Sequence, residues 1–446
     1  MHRIIIVVVV AIVIGAIGVF AWREFSSGPL AFAGGSTVTL ADYHEANPTG
    51  VPVDLSRADV VSRGEYLAKA ADCVVCHTAP GGEAFAGGLA FPLPFGTLYS
   101  TNITPDKDIG IGNYTDRDFL NAVRQGVRKD GTRLYPAMPY TSYTFMTDAD
   151  VLAIKAYLLS LPAVRRQNEP DTLQFPFNQR WAMIFWSWTF NPNTRFAPNI
   201  ATSAEWNRGA YIAEALAHCG DCHTPRNLAF ALDNHRKFSG ADAAGWRAYN
   251  ITSDKGTGIG SWSDDEVVTY LAKGHTTGRG TASGPMGEAV DHSFSRMDPA
   301  DIRALVSYLR SVPAVASSEP TTIAPPAPES PKAGGAVADA LGRKVFEQAC
   351  ASCHNWTGVS ALSPFATISG NRAVNDPIAT NVAQVVISGT QRSTPGPGAM
   401  SMPAFGSTYT DTEIAAVANY VTGRFGSVAS KLTAKDVADL RWQTAR

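Results

Sequence analysis

Three stretches of the chain repeat apolar residues at helical spacing behind the same polar start: TDADVLAIKAYLLSL from Thr147, DPADIRALVSYL from Asp298 and TDTEIAAVANYV from Thr410. Each opens on a capping residue with an acid three positions on, Thr147 with Asp150, Asp298 with Asp301 and Thr410 with Glu413, which is the signature of a capped helix start. A tyrosine follows seven residues after each acid, at Tyr157, Tyr308 and Tyr420. The pattern predicts three equivalent closing helices.

Two other runs break this rhythm. Residues 4–22 carry no charge and approach the ~20 apolar residues that a helix needs to cross a bilayer core. They predict a retained N-terminal transmembrane helix; the alternative is a cleaved signal, whose A-x-A-like site at Ala31-Phe32-Ala33 lies far from the apolar run and beyond Arg23 and Glu24. The flanking charges, Arg3 before and Arg23 with Glu24 after, set the helix's orientation only weakly.

The stretch LQFPFNQRWAMIFWSWTFNPNTRF from Leu173 holds Trp181, Trp186 and Trp188 and is too short to span. It reads as an apolar connector packed between domains or, alternatively, as a segment at a membrane interface, a layer that tryptophan favours. Between Val312 and Ala336 the chain turns rich in Pro, Ala and Ser, the composition of an extended linker that tethers the C-terminal portion of the chain without packing it.

A repeat supports this division. SRGEYLAKAADCVVCHTAP at 62–80 resembles NRGAYIAEALAHCGDCHTP at 207–225, and NITPDKDIGIGNYTDRDF from Asn102 echoes NITSDKGTGIGSWSDDEV from Asn250. GRKVFEQACASCH from Gly342 keeps the core of the same pattern. The expected organisation is an anchor or signal at 1–30, domain 1 at 55–165, the aromatic connector at 166–200, domain 2 at 201–315, the linker at 316–336, domain 3 at 337–430 and a tail at 431–446.

Composition adds limits. With 446 residues, 45% of them hydrophobic and 17% charged, the chain suits two to four compact domains. A net charge of -2 without any long basic run excludes a nucleic-acid footprint.

All six cysteines fall in three C-x-x-C-H units: Cys73 and Cys76 with His77, Cys219 and Cys222 with His223, Cys350 and Cys353 with His354. None is left for a disulfide framework. Zinc would need a fourth ligand that does not recur nearby, and a redox dithiol needs neither the histidine nor these flanks. The remaining reading is covalent attachment of three c-type haems. On a helical turn, residues three apart share a face, so both sulfurs can reach one porphyrin edge while the next histidine turns onto the iron.

A methionine sulfur suits the sixth position of an electron-transfer haem. Met138 in AMPY and Met402 in SMPAF are each followed by Pro, which stiffens the presenting loop; Met286 in GPMGEA lies slightly farther past His223 than Met138 lies past His77, and there the Pro precedes the Met. Met146, Met297 and Met400 read as core or loop residues, His275 and His292 as surface or packing residues, and Tyr114 and Trp262, matched in the repeat, as aromatics packed on haem edges.

Gly64 to Tyr66 before the motif and the helix with Tyr157, like Gly209 with Tyr308 and Gly342 with Tyr420, resemble the paired terminal helices of class I cytochrome c. The fold expected is thus mainly α, with three tandem class I cytochrome c domains behind one N-terminal transmembrane helix. From about residue 55 onward, the order GEYLAKAADCVVCHTAP, STNITPDKDIGIG, AMPYTSY, CHTPRN, GPMGEA and MPAF is similar to the tri-haem cytochrome c subunit of bacterial membrane-bound dehydrogenases. That resemblance implies an electron-transfer subunit without catalytic residues and, because haem attachment in that class happens outside the cytoplasm, a chain in the cell inner membrane with its N-terminus inside and its haem domains on the periplasmic side. It implies a catalytic partner of quinoprotein, flavin or molybdopterin type, a small third subunit, and ubiquinone in the membrane as acceptor; the expected anchor and the aromatic connector favour the alcohol- or aldehyde-oxidising members. The alternatives are a peroxidase-like multihaem enzyme with an open iron and a free-standing membrane-anchored carrier.

Overall fold

The computed structural model describes residues 2–25, 28–316, 340–391 and 401–444. Three domains follow one plan, a helix, the C-x-x-C-H turn, a long loop region and a closing helix. In the first, α2 (Val60–Ala70) leads into α3 (Cys73–Cys76), the hairpin β1 (Ala90–Leu93) and β2 (Gly96–Tyr99), α4 (Asp116–Gln125), α5 (Tyr140–Tyr143) and α6 (Asp148–Ser160). After α7 (Met183–Phe190), the second domain repeats the plan with α8 (Ala204–Tyr211), α9 (Gly220–His223), β3 (Ala241–Ala243), β4 (Trp246–Ala248), α10 (Asp264–Lys273), the hairpin β5 (His275–Thr276) and β6 (Gly280–Thr281), α11 (Gly284–His292) and α12 (Pro299–Ser311). The third has α13 (Ala340–Val345), α14 (Ala351–His354), α15 (Thr380–Ser388), α16 (Asp411–Phe425) and α17 (Ala434–Thr444).

The opening and closing helices cross at a glycine in every domain. A Cβ on Gly64, Gly209 or Gly342 would collide with the carbonyl oxygen of Ala153, Ala304 or Ala416 on the opposing helix, and would sit within 2.9 Å of the Cβ of Tyr157, Tyr308 or Tyr420. The glycine and the tyrosine of the sequence pattern are therefore the two sides of one close helix crossing.

The capping expectation holds in full only for α16, where Thr410 and Glu413 cap reciprocally. In α6 and α12 the acid at the same position is drawn elsewhere. Asp150 accepts from Gly50 N at 2.9 Å and from the Tyr211 hydroxyl. Asp301 accepts from the Tyr66 hydroxyl at 2.5 Å and from Arg208 at 2.8 and 2.6 Å. Tyr66 and Tyr211 are repeat equivalents, as are Asp150 and Asp301, so the first two domains exchange the same bond in both directions, the mark of a pseudo-twofold contact. They also share one continuous core that includes Leu67, Ile154, Tyr211, Leu305 and Tyr308.

The third domain has its own core around Phe346, Val382, Ile414 and Tyr420. The Pro-, Ala- and Ser-rich linker lies, from residue 317 on, outside the described residues. The expectation of a tethered, unpacked domain is nonetheless corrected: Asn381 exchanges two hydrogen bonds with the backbone of Arg247 at 2.8 and 3.0 Å, and Asp376 pairs with Arg247 at 3.1 Å. The expected tail is also part of this domain, since α17 packs on α15 and α16 with Val437 and Leu440 buried.

The N-terminal expectation is overturned. α1 spans His2–Phe25. Among the described residues no helix is long and apolar enough to cross a membrane. The transmembrane helix is withdrawn, and with it the inner-membrane placement that rested on it.

The aromatic connector is divided in its role. Trp186 packs between the first two domains, its Nε1–H donating to Ala229 O at 2.7 Å and its ring edge-on to Tyr140, whereas Trp181, Phe185 and Trp188 are exposed. Its earlier part pairs with β2, Thr172 N donating to Thr97 O at 2.9 Å.

Candidate haem sites

Each C-x-x-C-H unit forms one helical turn at the end of the opening helix, which puts its two sulfurs on one side. All six thiols are free. Burial pushes Cys73, Cys76 and Cys219 up to about 12 and Cys222 and Cys350 to about 11, the opposite of an activated redox dithiol. No cluster of three or more His, Cys, Asp or Glu side chains able to hold a metal ion occurs among the described residues, which leaves the zinc alternative without support.

The histidines share one arrangement. Nδ1 of His77 lies 2.7 Å from Thr101 O, that of His223 2.6 Å from Tyr249 O, and that of His354 2.6 Å from Ala366 O. A carbonyl can only accept, so Nδ1 carries the proton and Nε2 keeps its lone pair for a ligand. Burial lowers the pKa of all three below the ordinary imidazole value, with the Arg372 charge a smaller contribution at His223. Neutral imidazoles oriented in this way are suited to axial ligation.

In the first domain the sequence-predicted ligands meet in space. A cavity of about 790 Å³ is lined by Cys73, Cys76, His77 and Met138, by apolar side chains such as Phe119, Val123 and Ile154, and by Arg128, Lys129 and Arg180. An apolar chamber with cations among its lining suits a flat macrocycle bearing carboxylates. Tyr114 lines the same cavity. Its repeat equivalent Trp262 holds a buried indole N–H with no acceptor among the described residues, a donor that a haem carboxylate would satisfy.

Met286 sits in the first turn of α11, after Pro285, and α11 packs on α3 as well as on its own domain. Met402 lies at the edge of the third core and bridges to Thr390, its N–H donating at 2.9 Å. Met146 also borders the first cavity but is fully buried, and Met297 is a core residue, as expected of both; Met400 lies outside the described residues. Of the two readings of His275, surface or packing, the structure shows packing: its ring lies 5.1 Å from that of Phe365 of the third domain.

The first two sites adjoin. His218, just before the second motif, lines the first cavity, and Tyr143, whose hydroxyl donates to Ala71 O at 2.7 Å, meets the His218 ring at 5.4 Å. Sequence reasoning missed the three carbonyl partners of the histidines, which leave no side-chain signature. It also missed the interdomain role of Asp150 and Asp301.

Comparison with known proteins gives matches at family and chain level. The family described as cytochrome c matches residues 61–162, and that described as cytochrome C oxidase, cbb3-type, subunit III matches residues 337–421. The gluconate 2-dehydrogenase cytochrome c subunit of Pantoea cypripedii is 40% identical, over 87% of this chain and 91% of its own. The fructose dehydrogenase cytochrome subunit of Gluconobacter japonicus is 38% identical over 89% and 85%, and the cytochrome c subunit of the quinone alcohol dehydrogenase of Gluconobacter oxydans is 35% identical over 86% and 82%.

Proposed function

The chain belongs to the cytochrome c subunits of membrane-bound dehydrogenase complexes, which transfer electrons and are not the catalytic subunits, and from this we propose that it holds three haems and relays electrons from a dehydrogenase to ubiquinone. The observation that carries the count is the threefold repetition of a C-x-x-C-H turn whose histidine is oriented by a backbone carbonyl.

In this reading Cys73 and Cys76, Cys219 and Cys222, and Cys350 and Cys353 would hold the three groups covalently. His77, His223 and His354 would supply one axial nitrogen each, and Met138, Met286 and Met402 the opposite sulfur. Haem c, when bound, supplies one-electron chemistry at iron. The protein's part is to orient the ligands, exclude water and keep the sites close to one another, for which no acid, base or nucleophile is needed.

The catalytic partner would be a dehydrogenase of quinoprotein, flavin or molybdopterin type, with a small third subunit. The relatives serve gluconate, fructose and alcohol dehydrogenases, so its substrate class is set by whichever partner binds; an alcohol or an aldehyde is our reading. Ubiquinone as acceptor is supported by the exposed Trp181, Phe185 and Trp188, an apolar surface that begins at Arg180, itself a lining residue of the first cavity.

Purification from the native host in mild detergent tests the reading. A pyridine haemochrome assay should give three haems per chain, and mass spectrometry should find a larger cofactor-bearing dehydrogenase. A lone chain, or one with an iron open to peroxide, would overturn it. Substituting Met138, Met286 or Met402 by alanine should lower the midpoint potential of one haem each, because the thioether favours the ferrous state. A methionine whose loss leaves all three potentials in place is not a ligand.

A further inference from the structure

The carbonyl that orients each histidine has to be held still by something, and the first two domains differ in what holds it. In the first, the strand leading to Thr101 is braced by the connector: Tyr99 N donates to Asp171 Oδ1 at 2.9 Å, and Asn102 N to Asn168 Oδ1 at 2.7 Å. In the second, the residue equivalent to Tyr99 is Arg247, and its N–H donates instead to Asn381 Oδ1 of the third domain.

The third domain reaches further, to Tyr249 itself. The Arg372 guanidinium lies 4.4 Å over the Tyr249 ring, the Tyr249 hydroxyl donates to Asp376 at 3.2 Å, and Arg372 donates to the next carbonyl, Asn250 O, at 3.3 Å and to Thr257 O. A planar fork that stacks on a ring while donating to two carbonyls fixes a turn in a way that a lysine cannot.

We propose that Arg372 is a positioning residue for the second haem, holding the Tyr249 carbonyl that orients His223, so that docking of the third domain fixes the orientation of that ligand. This rests on the reading of His223 as an axial ligand. A firmly held Tyr249 carbonyl keeps the His223 Nδ1–H bond short and the imidazole more basic, which favours the ferric state. Loosening the clamp while keeping the charge therefore raises the second potential.

The test is an EPR-monitored redox titration of the full chain carrying Arg372→Lys. The second haem's signal is assigned by its absence in a chain with Cys219→Ser and Cys222→Ser. The expected result is an upward shift of the second potential with the first and third unchanged, and a smaller shift of the same sign in Asn381→Ala. An unchanged second potential in Arg372→Lys, or equal shifts of the second and third, would overturn the positioning role, the latter by showing loss of docking alone. If the unsubstituted chain shows no second haem, the ligand reading fails and this inference with it.

Discussion

Gly209→Ala should destabilise the second domain by about 3 kcal/mol or more and strip it of stable haem incorporation. Two effects oppose each other here. Alanine is the better helix former in the interior of α8, by roughly 1 kcal/mol. Yet the new Cβ would strike the Ala304 carbonyl oxygen and stand 2.9 Å from the Tyr308 Cβ, with backbone rather than a flexible side chain in the way. Relief requires α8 and α12 to separate, and that opens a core in which Tyr211, Leu305 and Tyr308 are fully buried. The steric cost wins. Thermal unfolding, together with a haem count on the purified chain, checks this; an unchanged midpoint with all haems present would mean that the two helices cross less tightly.

Asp301→Ala should cost about 3–5 kcal/mol, because it leaves the largely buried Arg208 guanidinium without its counter-charge. Arg208 would keep, among the described residues, the carbonyls of Pro48 and Gly50, at 2.9 and 3.0 Å. Tyr66→Phe removes one hydrogen bond to the same carboxylate and spares the ion pair, so its cost should be nearer 1 kcal/mol. Urea unfolding of the two variants decides the ranking, and equal losses would refute it.

The pair also predicts a pH dependence. Burial, followed by the Asp301 charge, raises the Tyr66 pKa above its ordinary value. The folded state therefore favours the protonated phenol. Its contribution is complete below the usual phenol pKa of about 10 and is lost as pH rises from there toward the raised folded value. Stability between pH 9 and 11, on the order of the alkaline range in question, should fall less steeply in Tyr66→Phe than in the parent chain.

Much of the site was legible in the residues. Two thiols and a histidine at fixed spacing leave little chemistry but haem attachment. That is a local fact, which side-chain type and spacing are enough to state. The pairing of the Gly209 and Tyr308 helices was expected through the resemblance to class I cytochrome c, and the structure shows why glycine is needed there, since a Cβ would meet the Ala304 carbonyl.

Other features had no local signature. Every residue has a carbonyl, so nothing in the chain distinguishes Thr101, Tyr249 or Ala366 as the acceptor for a histidine. The acids at Asp150, Asp301 and Glu413 look alike in the sequence, yet only Glu413 closes its capping box, because a buried tyrosine from the neighbouring domain competes for the other two. A Pro-, Ala- and Ser-rich linker suggests a free third domain, whereas Arg372, Asp376 and Asn381 fasten that domain to the second. The sequence by itself determined which groups carry the chemistry, since bonding capacity is a property of the side chain. Tertiary structure decided which partner each group takes, since a carboxylate, guanidinium or carbonyl satisfies whichever neighbour burial brings to it.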